Sequence, residues 1–193
     1  MTALPLRPDP IYGTGASLAE KNLARLAGLA GAVLVGGFVA VTDPQAWALW
    51  QYAVAAVLAF DLVGGVVANG LASAKREHAR PDAPGDGVLL RLVRRPVAFS
   101  ALHVQPILVG LLFPGASWWW GAAWYAAVLL AVVVVRRVPA QLARPAALAF
   151  AAAAALAAPL IEHPVGFAWL PVILALKLVV AHAVPSDAEE ARA

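Results

Sequence analysis

Long apolar runs dominate this sequence, and each is long enough to cross a lipid bilayer. Six can be marked between short connections that are rich in turn-forming residues. A membrane span needs roughly 20 mainly apolar residues. The sequence therefore predicts an all-α fold, a polytopic membrane helix bundle with six transmembrane helices. The expected spans are approximately Asn22–Val41, Ala46–Ala74, Pro96–Phe113, Ser117–Val135, Gln141–Ile161 and Val165–Val184.

The composition leaves little room for a separate soluble domain. Of 193 residues, 62% are hydrophobic and 13% are charged, whereas soluble domains average about 45–50% apolar and about 25% charged residues. We therefore expect residues 1–185 to form a single transmembrane domain. The acidic segment 186–193 is expected to be a disordered cytoplasmic tail.

Several classes of chemistry lack the residues that they require. Cysteine is absent, which excludes disulfides, thiolate catalysis and cysteine-based metal centres. No nucleotide-binding loop, nucleophile elbow or metal-ligand signature is present. We therefore predict no cofactor, no metal and no catalytic residue, and an enzyme is the less expected class. The net charge of +3 indicates membrane orientation here and not a nucleic-acid partner.

The distribution of basic residues predicts the orientation. With six spans, every one of the 14 Lys and Arg residues except Lys177 falls on one side of the membrane. Positive charge marks the cytoplasmic side, so both termini and the loop 75–95 are predicted to be cytoplasmic. The opposite connections, around Asp43, Pro114 and Glu162, contain no Lys or Arg. The basic residues on the cytoplasmic side are Arg7, Lys21, Arg25, Lys75, Arg76, Arg80, Arg91, Arg94, Arg95, Arg136, Arg137, Arg144 and Arg192.

Two further predictions concern the surroundings of the chain. Its richness in Ala and Arg is typical of a GC-rich bacterial genome, so the expected location is the inner (plasma) membrane. The segment 88–95 has the pattern of a short amphipathic helix that could lie on anionic lipid beside the loop 75–95. Ordinary cytoplasmic positive charge is the alternative explanation of that pattern.

Three ionisable residues fall inside the predicted spans at nearly one depth. Asp61 lies about 22 Å, Lys177 about 18 Å and His103 about 20 Å from the outer boundary, at a helical rise of roughly 1.5 Å per residue. A charge at the bilayer centre costs at least about 2.5–3.5 kcal/mol. We therefore expect Asp61 to pair with Lys177, with His103 close enough to hydrogen-bond one of them.

Two more polar residues are assigned to this cluster by helical spacing. Asn69 follows Asp61 by eight residues, on a face that also includes Gly64 and Gly65. Ser100 precedes His103 by three residues and shares its face. Pro106 cannot donate a hydrogen bond, so the sequence predicts a free carbonyl at Leu102. His182 lies about 140° around an α-helix from Lys177 and is predicted to stay outside the cluster.

Three functions are compatible with these residues. The first is a small membrane protein that translocates protons or a solute, as a homo-oligomer or with a membrane partner, because intramembrane ionisable groups mark such pathways. The second is an accessory or assembly protein whose buried ion pair is structural. The third is a membrane-embedded acid–base or metal-dependent enzyme.

Overall fold

The computed structural model describes residues 7–115 and 117–186, and within these ranges the chain is helical with no strand. The predicted tail 186–193 lies outside the described residues except for Ser186. The helices are α1 (Leu18–Thr42), α2 (Leu49–Gly70), α3 (Ala72–His78), α4 (Val88–Val93), α5 (Pro96–Ala101), α6 (Gln105–Leu112), α7 (Trp118–Val135), α8 (Ala140–Ala157) with a 3₁₀ turn at Ala158–Leu160, and α9 (Leu170–Leu174), which continues as a π-helix at Ala175–Ala183.

Four of these helices are long and apolar enough to cross a membrane. They are α1, α2, α7 and α8 with its 3₁₀ turn. The two remaining apolar stretches, Pro96–Leu112 and Leu170–Ala183, are shorter. The prediction of an all-helical membrane fold is therefore confirmed over the described residues, whereas the count of six spans remains a prediction.

The third apolar run is broken in its middle. Pro106 lies near the start of α6, where its missing N–H costs nothing, and α5 ends at Ala101. The Leu102 carbonyl accepts a hydrogen bond of 3.0 Å from the Val104 N–H in the intervening turn. The predicted free carbonyl is therefore wrong, because the proline begins a new helix instead of interrupting a continuous one.

The connections without basic residues meet at one end of the bundle, which we call the aromatic end. The Trp47 indole packs against Phe113 and Phe167, with ring centroids 5.2 and 5.4 Å away. Its N–H donates a 3.1 Å hydrogen bond to the Val165 carbonyl. The Val165 N–H in turn bonds the Pro114 carbonyl at 2.9 Å. These contacts tie all three connections together.

The opposite end, which we call the basic end, joins the N-terminal segment, α3 and the end of the π-helix. The Ser73 hydroxyl donates to the Tyr12 carbonyl at 2.6 Å. The Lys75 ammonium donates to the Val184 carbonyl at 2.7 Å, and Arg136 donates to the Ala183 carbonyl at 3.4 Å. Lysine and arginine are favourable at a helix C-terminus because its last carbonyls lack backbone partners.

The outer surface of α1 carries large apolar side chains that no other part of the described chain covers. Leu26, Val33, Leu34 and Phe38 are each more than half exposed. A continuous apolar surface of this kind marks contact with a membrane or a partner. On its inner side α1 packs closely on α2, where Gly28 lies opposite Gly64.

A buried ion-pair network closes the basic end. Glu77 on α3 and Arg94 after α4 are only 1% and 4% exposed, and their side chains bond at 2.7 Å. Arg94 also bonds Asp86 at 2.5 Å, and the Thr14 hydroxyl donates to Glu77. Burial by itself raises the pKa of Glu77, but the hydrogen bonds from Thr14 and Arg94 outweigh it, and the pKa is lowered.

Removing Arg94 should destabilise the fold more than removing a neighbouring arginine. Arg94→Met leaves Glu77 buried with Thr14 and Arg80 as its remaining partners. We therefore expect the free energy of unfolding to fall by about 3 kcal/mol, which is the lower end of the range for breaking a buried ion pair. Arg91→Met on α4, where the side chain is exposed, is the matched control. Thermal unfolding in detergent micelles measures both, and equal shifts would contradict the role of the network.

The same network predicts a pH dependence. Because the folded pKa of Glu77 is lowered, its contribution to stability is complete above the unfolded value, about 4.3. That contribution is lost as the pH falls through the lower folded value. The loss of stability in acid, measured by thermal unfolding at several pH values, should be weaker in Arg94→Met, in which one of the hydrogen bonds that lower the pKa of the carboxyl is absent.

Candidate intramembrane ion-pair site

An ion pair joins α2 to the π-helix. It lies near the middle of α2 and near the middle of the apolar stretch Leu170–Ala183. The Lys177 Nζ lies 2.8 Å from the Asp61 Oδ2. The Lys177 side chain is 5% exposed, whereas the Asp61 side chain is 51% exposed. The structure thus brings together the two oppositely charged residues whose pairing the sequence predicts. The ammonium is enclosed by protein, and the carboxylate opens onto the side of the bundle.

Three residues of α2, spaced by four, all meet Lys177. Asp61 binds its ammonium, and the Asn69 side-chain N–H₂ donates a 3.2 Å hydrogen bond to its backbone carbonyl. Between them, a Cβ atom at Gly65 would overlap the Cε and Cδ atoms of Lys177. Glycine leaves room here for the lysine side chain, which passes directly over the helix backbone.

The polar face of α2 is narrower than the sequence predicts. Gly64, which spacing alone assigns to the Asp61 face, instead points at α1, where a Cβ atom would lie 3.0 Å from the Ala24 carbonyl. Gly65 and Asn69 form the side towards the π-helix. Two adjacent glycines therefore serve two different helix contacts.

His103 lies near the ion pair but makes its hydrogen bond elsewhere. Its Nδ1 is 2.9 Å from the Phe99 carbonyl, and its ring meets the Phe99 ring at 4.7 Å in an edge-on arrangement. The charges of Lys177 and Asp61 both act on the ring. The imidazole is therefore close enough to the ion pair for an electrostatic interaction. Its hydrogen bond is to the Phe99 carbonyl, whereas the sequence predicts a hydrogen bond to Asp61 or Lys177.

Ser100 occupies the remaining predicted position of the cluster. It is 2% exposed, and its hydroxyl has no hydrogen-bond partner within the described ranges. Buried hydroxyls are nearly always hydrogen-bonded to protein or to ordered water. Ser100 therefore places a hydroxyl in the interior that makes no hydrogen bond to the described part of the protein.

His182 is buried beside this cluster. It is 3% exposed, and its ring packs between Phe99 at 4.4 Å and His78 at 4.5 Å. The reason is the π-helix, in which hydrogen bonds run from residue i to i+5. The wider turn of a π-helix reduces the angle around the helix axis between Lys177 and His182, which are five residues apart. The prediction used α-helical spacing and therefore overestimated this angle.

The arrangement offers acid–base chemistry and no evident metal centre. Within the described part of the chain, no group of three or more His, Asp or Glu side chains could hold a metal ion. A cavity of about 500 Å³ lies at the aromatic end, lined by Gly115, Ser117, Trp120 and Glu162. It includes none of the residues of the ion-pair site.

Comparisons with known proteins add no assignment. No family model matches the chain, and no curated protein or solved structure is significantly similar to it. The geometry of the site itself is therefore the basis for a function.

Gly65→Ala should damage the site although alanine favours a helix. Alanine is the better helix former by about 1 kcal/mol, but its methyl group would collide with the Lys177 side chain, and overpacking costs typically about 1–3 kcal/mol. We expect a lower thermal stability in detergent. Gly37→Ala on α1, where a Cβ atom meets nothing within 4 Å, should be neutral or stabilising. If the two variants behave alike, Lys177 does not pass over Gly65.

Proposed function

We propose that this chain is a multi-pass bacterial inner-membrane protein with six transmembrane helices that translocates protons, or a small solute coupled to them, through the Asp61–Lys177 pair. The observation that carries the proposal is the asymmetry of this pair. A half-exposed carboxylate is bound to an enclosed ammonium in the middle of two apolar segments. Ionisable groups at such a depth are expensive and typically mark ion or proton pathways.

The asymmetry suggests how protonation could be coupled to movement. Adding a proton to Asp61 removes the counter-ion of Lys177, and an uncompensated buried charge costs about 3–5 kcal/mol. Lys177 must then release a proton or leave its position over Gly65. Protonation of the half-exposed carboxylate therefore changes the state of the enclosed base, which is the requirement for a coupled step.

The two ends of the bundle support six crossings with both termini in the cytoplasm. The stretch Pro96–Leu112 runs from the basic end, beside α4, to the aromatic end at Phe113. The last stretch returns from Val165 to Val184, whose carbonyl binds Lys75. Both stretches are short and each contains two helical elements. Each of them nevertheless joins the same two ends of the bundle as the four long helices do.

A second candidate function is supported by the direction in which Asp61 faces. Its carboxylate is half exposed, and Asp61 is not among the residues that line the cavity at the aromatic end. A polar group on a neighbouring membrane helix, from a second copy or from another protein, could bind there. The ion pair would then serve assembly, as in the accessory hypothesis. The enzyme hypothesis has no comparable support among the described residues.

Proton flux separates the two candidates. In liposomes that contain the purified protein, Asp61→Asn should reduce proton flux to that of protein-free vesicles, because the amide cannot titrate. Asp43→Asn, at an exposed position in a connection at the aromatic end, is the matched control and should keep the wild-type rate. Flux that is identical in wild type and Asp61→Asn would leave only the assembly function.

The absence of cysteine permits a direct test of the topology. Gln45→Cys and Pro84→Cys each introduce one thiol, at the aromatic end and in the loop 75–95 respectively. An impermeant maleimide should label Gln45→Cys in intact spheroplasts and Pro84→Cys only after the membrane is opened. The reverse pattern would invert the proposed orientation, and labelling of both in intact spheroplasts would refute the six crossings.

A further inference from the structure

His182 combines deep burial with unused polar atoms. It is 3% exposed, and neither ring nitrogen has a hydrogen-bond partner among the described residues. Leaving a buried donor or acceptor without a hydrogen bond destabilises a protein. The Ser100 hydroxyl, next in sequence to the Phe99 ring that packs on His182, is unsatisfied in the same way.

His182 packs between the basic end, represented by His78, and Phe99, whose ring also meets His103. His78 on α3 meets one side of the ring, and Phe99 separates the other side from His103. The charged or titratable groups that act on His182 are His78 and Lys75 from α3, His103 from the turn after α5, and Lys177 from the π-helix.

We infer that this region is an internal water-binding site centred on His182, and that it relays protons between the basic end and the Asp61–Lys177 pair. Buried polar groups without protein partners are the usual hosts of internal water, provided that a water can reach two or more of them. The two nitrogens of His182 and the hydroxyl of Ser100 provide such groups. The relay function rests on the proposed function, whereas the presence of water does not.

The relay requires only protons and water. A neutral imidazole accepts a proton on its unprotonated nitrogen from a hydronium ion on one side. It then releases the proton of its other nitrogen to a water molecule on the opposite side. The ring returns to its neutral form with the tautomer exchanged, and ring rotation or the reverse transfer resets it. Histidine performs this role because its two nitrogens serve as donor and acceptor at once.

Water contact can be measured directly at the ring. The chain contains 4 histidines, so ¹⁵N-histidine labelling gives a small set of ring signals in solid-state NMR of the protein in liposomes. The signals of His182 are assigned by their loss in His182→Phe or His182→Gln. We expect magnetisation transfer from water to the His182 ring nitrogens despite the burial of the ring. Transfer to His163 at the aromatic end, but none to His182, would overturn the inference.

Proton flux then tests the relay. His182→Phe keeps a ring between Phe99 and His78 but has no nitrogens, and it should lower flux at least tenfold. His182→Gln retains polar atoms that can bind water but cannot titrate, and it should also lower flux, which keeps the test valid if the phenylalanine variant fails to fold. His163→Phe is the matched control and should retain the wild-type rate.

The outcomes distinguish this inference from the function on which it rests. Wild-type flux in both His182 variants would refute the relay while leaving translocation through Asp61 intact. Water transfer to His182 without any flux in the wild type would refute translocation and support the hydrated site alone. Water transfer together with loss of flux in both variants supports the whole inference.

Discussion

The pairing of a carboxylate with an ammonium in an apolar layer is the constraint on which the arrangement of the central helices depends. Either charge alone would cost at least about 2.5–3.5 kcal/mol at the bilayer centre. The Lys177 side chain reaches Asp61 by passing over Gly65, and Asn69 holds the backbone of the same lysine. One residue of the π-helix, Lys177, is therefore held by its side chain and its backbone at three successive turns of α2, which defines how these two segments pack.

The polar groups outside this pair are concentrated towards the basic end. There, Glu77 and Arg94 are buried together and join α3 to the segment after α4. Between that network and the ion pair lie His182 and His103, separated by the Phe99 ring. Because of this distribution, the proposed proton route runs from the ion pair towards the basic end. At the aromatic end, Trp47, Phe113 and Phe167 pack against one another.

Much of the fold and part of the site follow from the sequence because they depend on fixed local geometry. A long apolar run is expected to form a helix in lipid. In a helix, a single segment satisfies its own backbone hydrogen bonds without water. The constant rise per residue places Asp61 and Lys177 at one depth, and the cost of an unpaired charge then favours their contact. The spacing of eight residues predicts Asn69 on the side of α2 that carries Asp61, and both residues contact Lys177.

By itself the sequence determined which segments are helical and which charges inside apolar segments need each other; the tertiary structure decided how the helices meet. Regular α-helical spacing cannot reveal the π-helix that brings His182 inside, nor the turn at Leu102–Val104 that divides α5 from α6. It also cannot distinguish Gly64, which faces α1, from Gly65, which faces Lys177, or single out Arg94 among many basic residues. The physical reason is that each of these features depends on neighbours that are distant along the chain, and on local departures from 3.6 residues per turn.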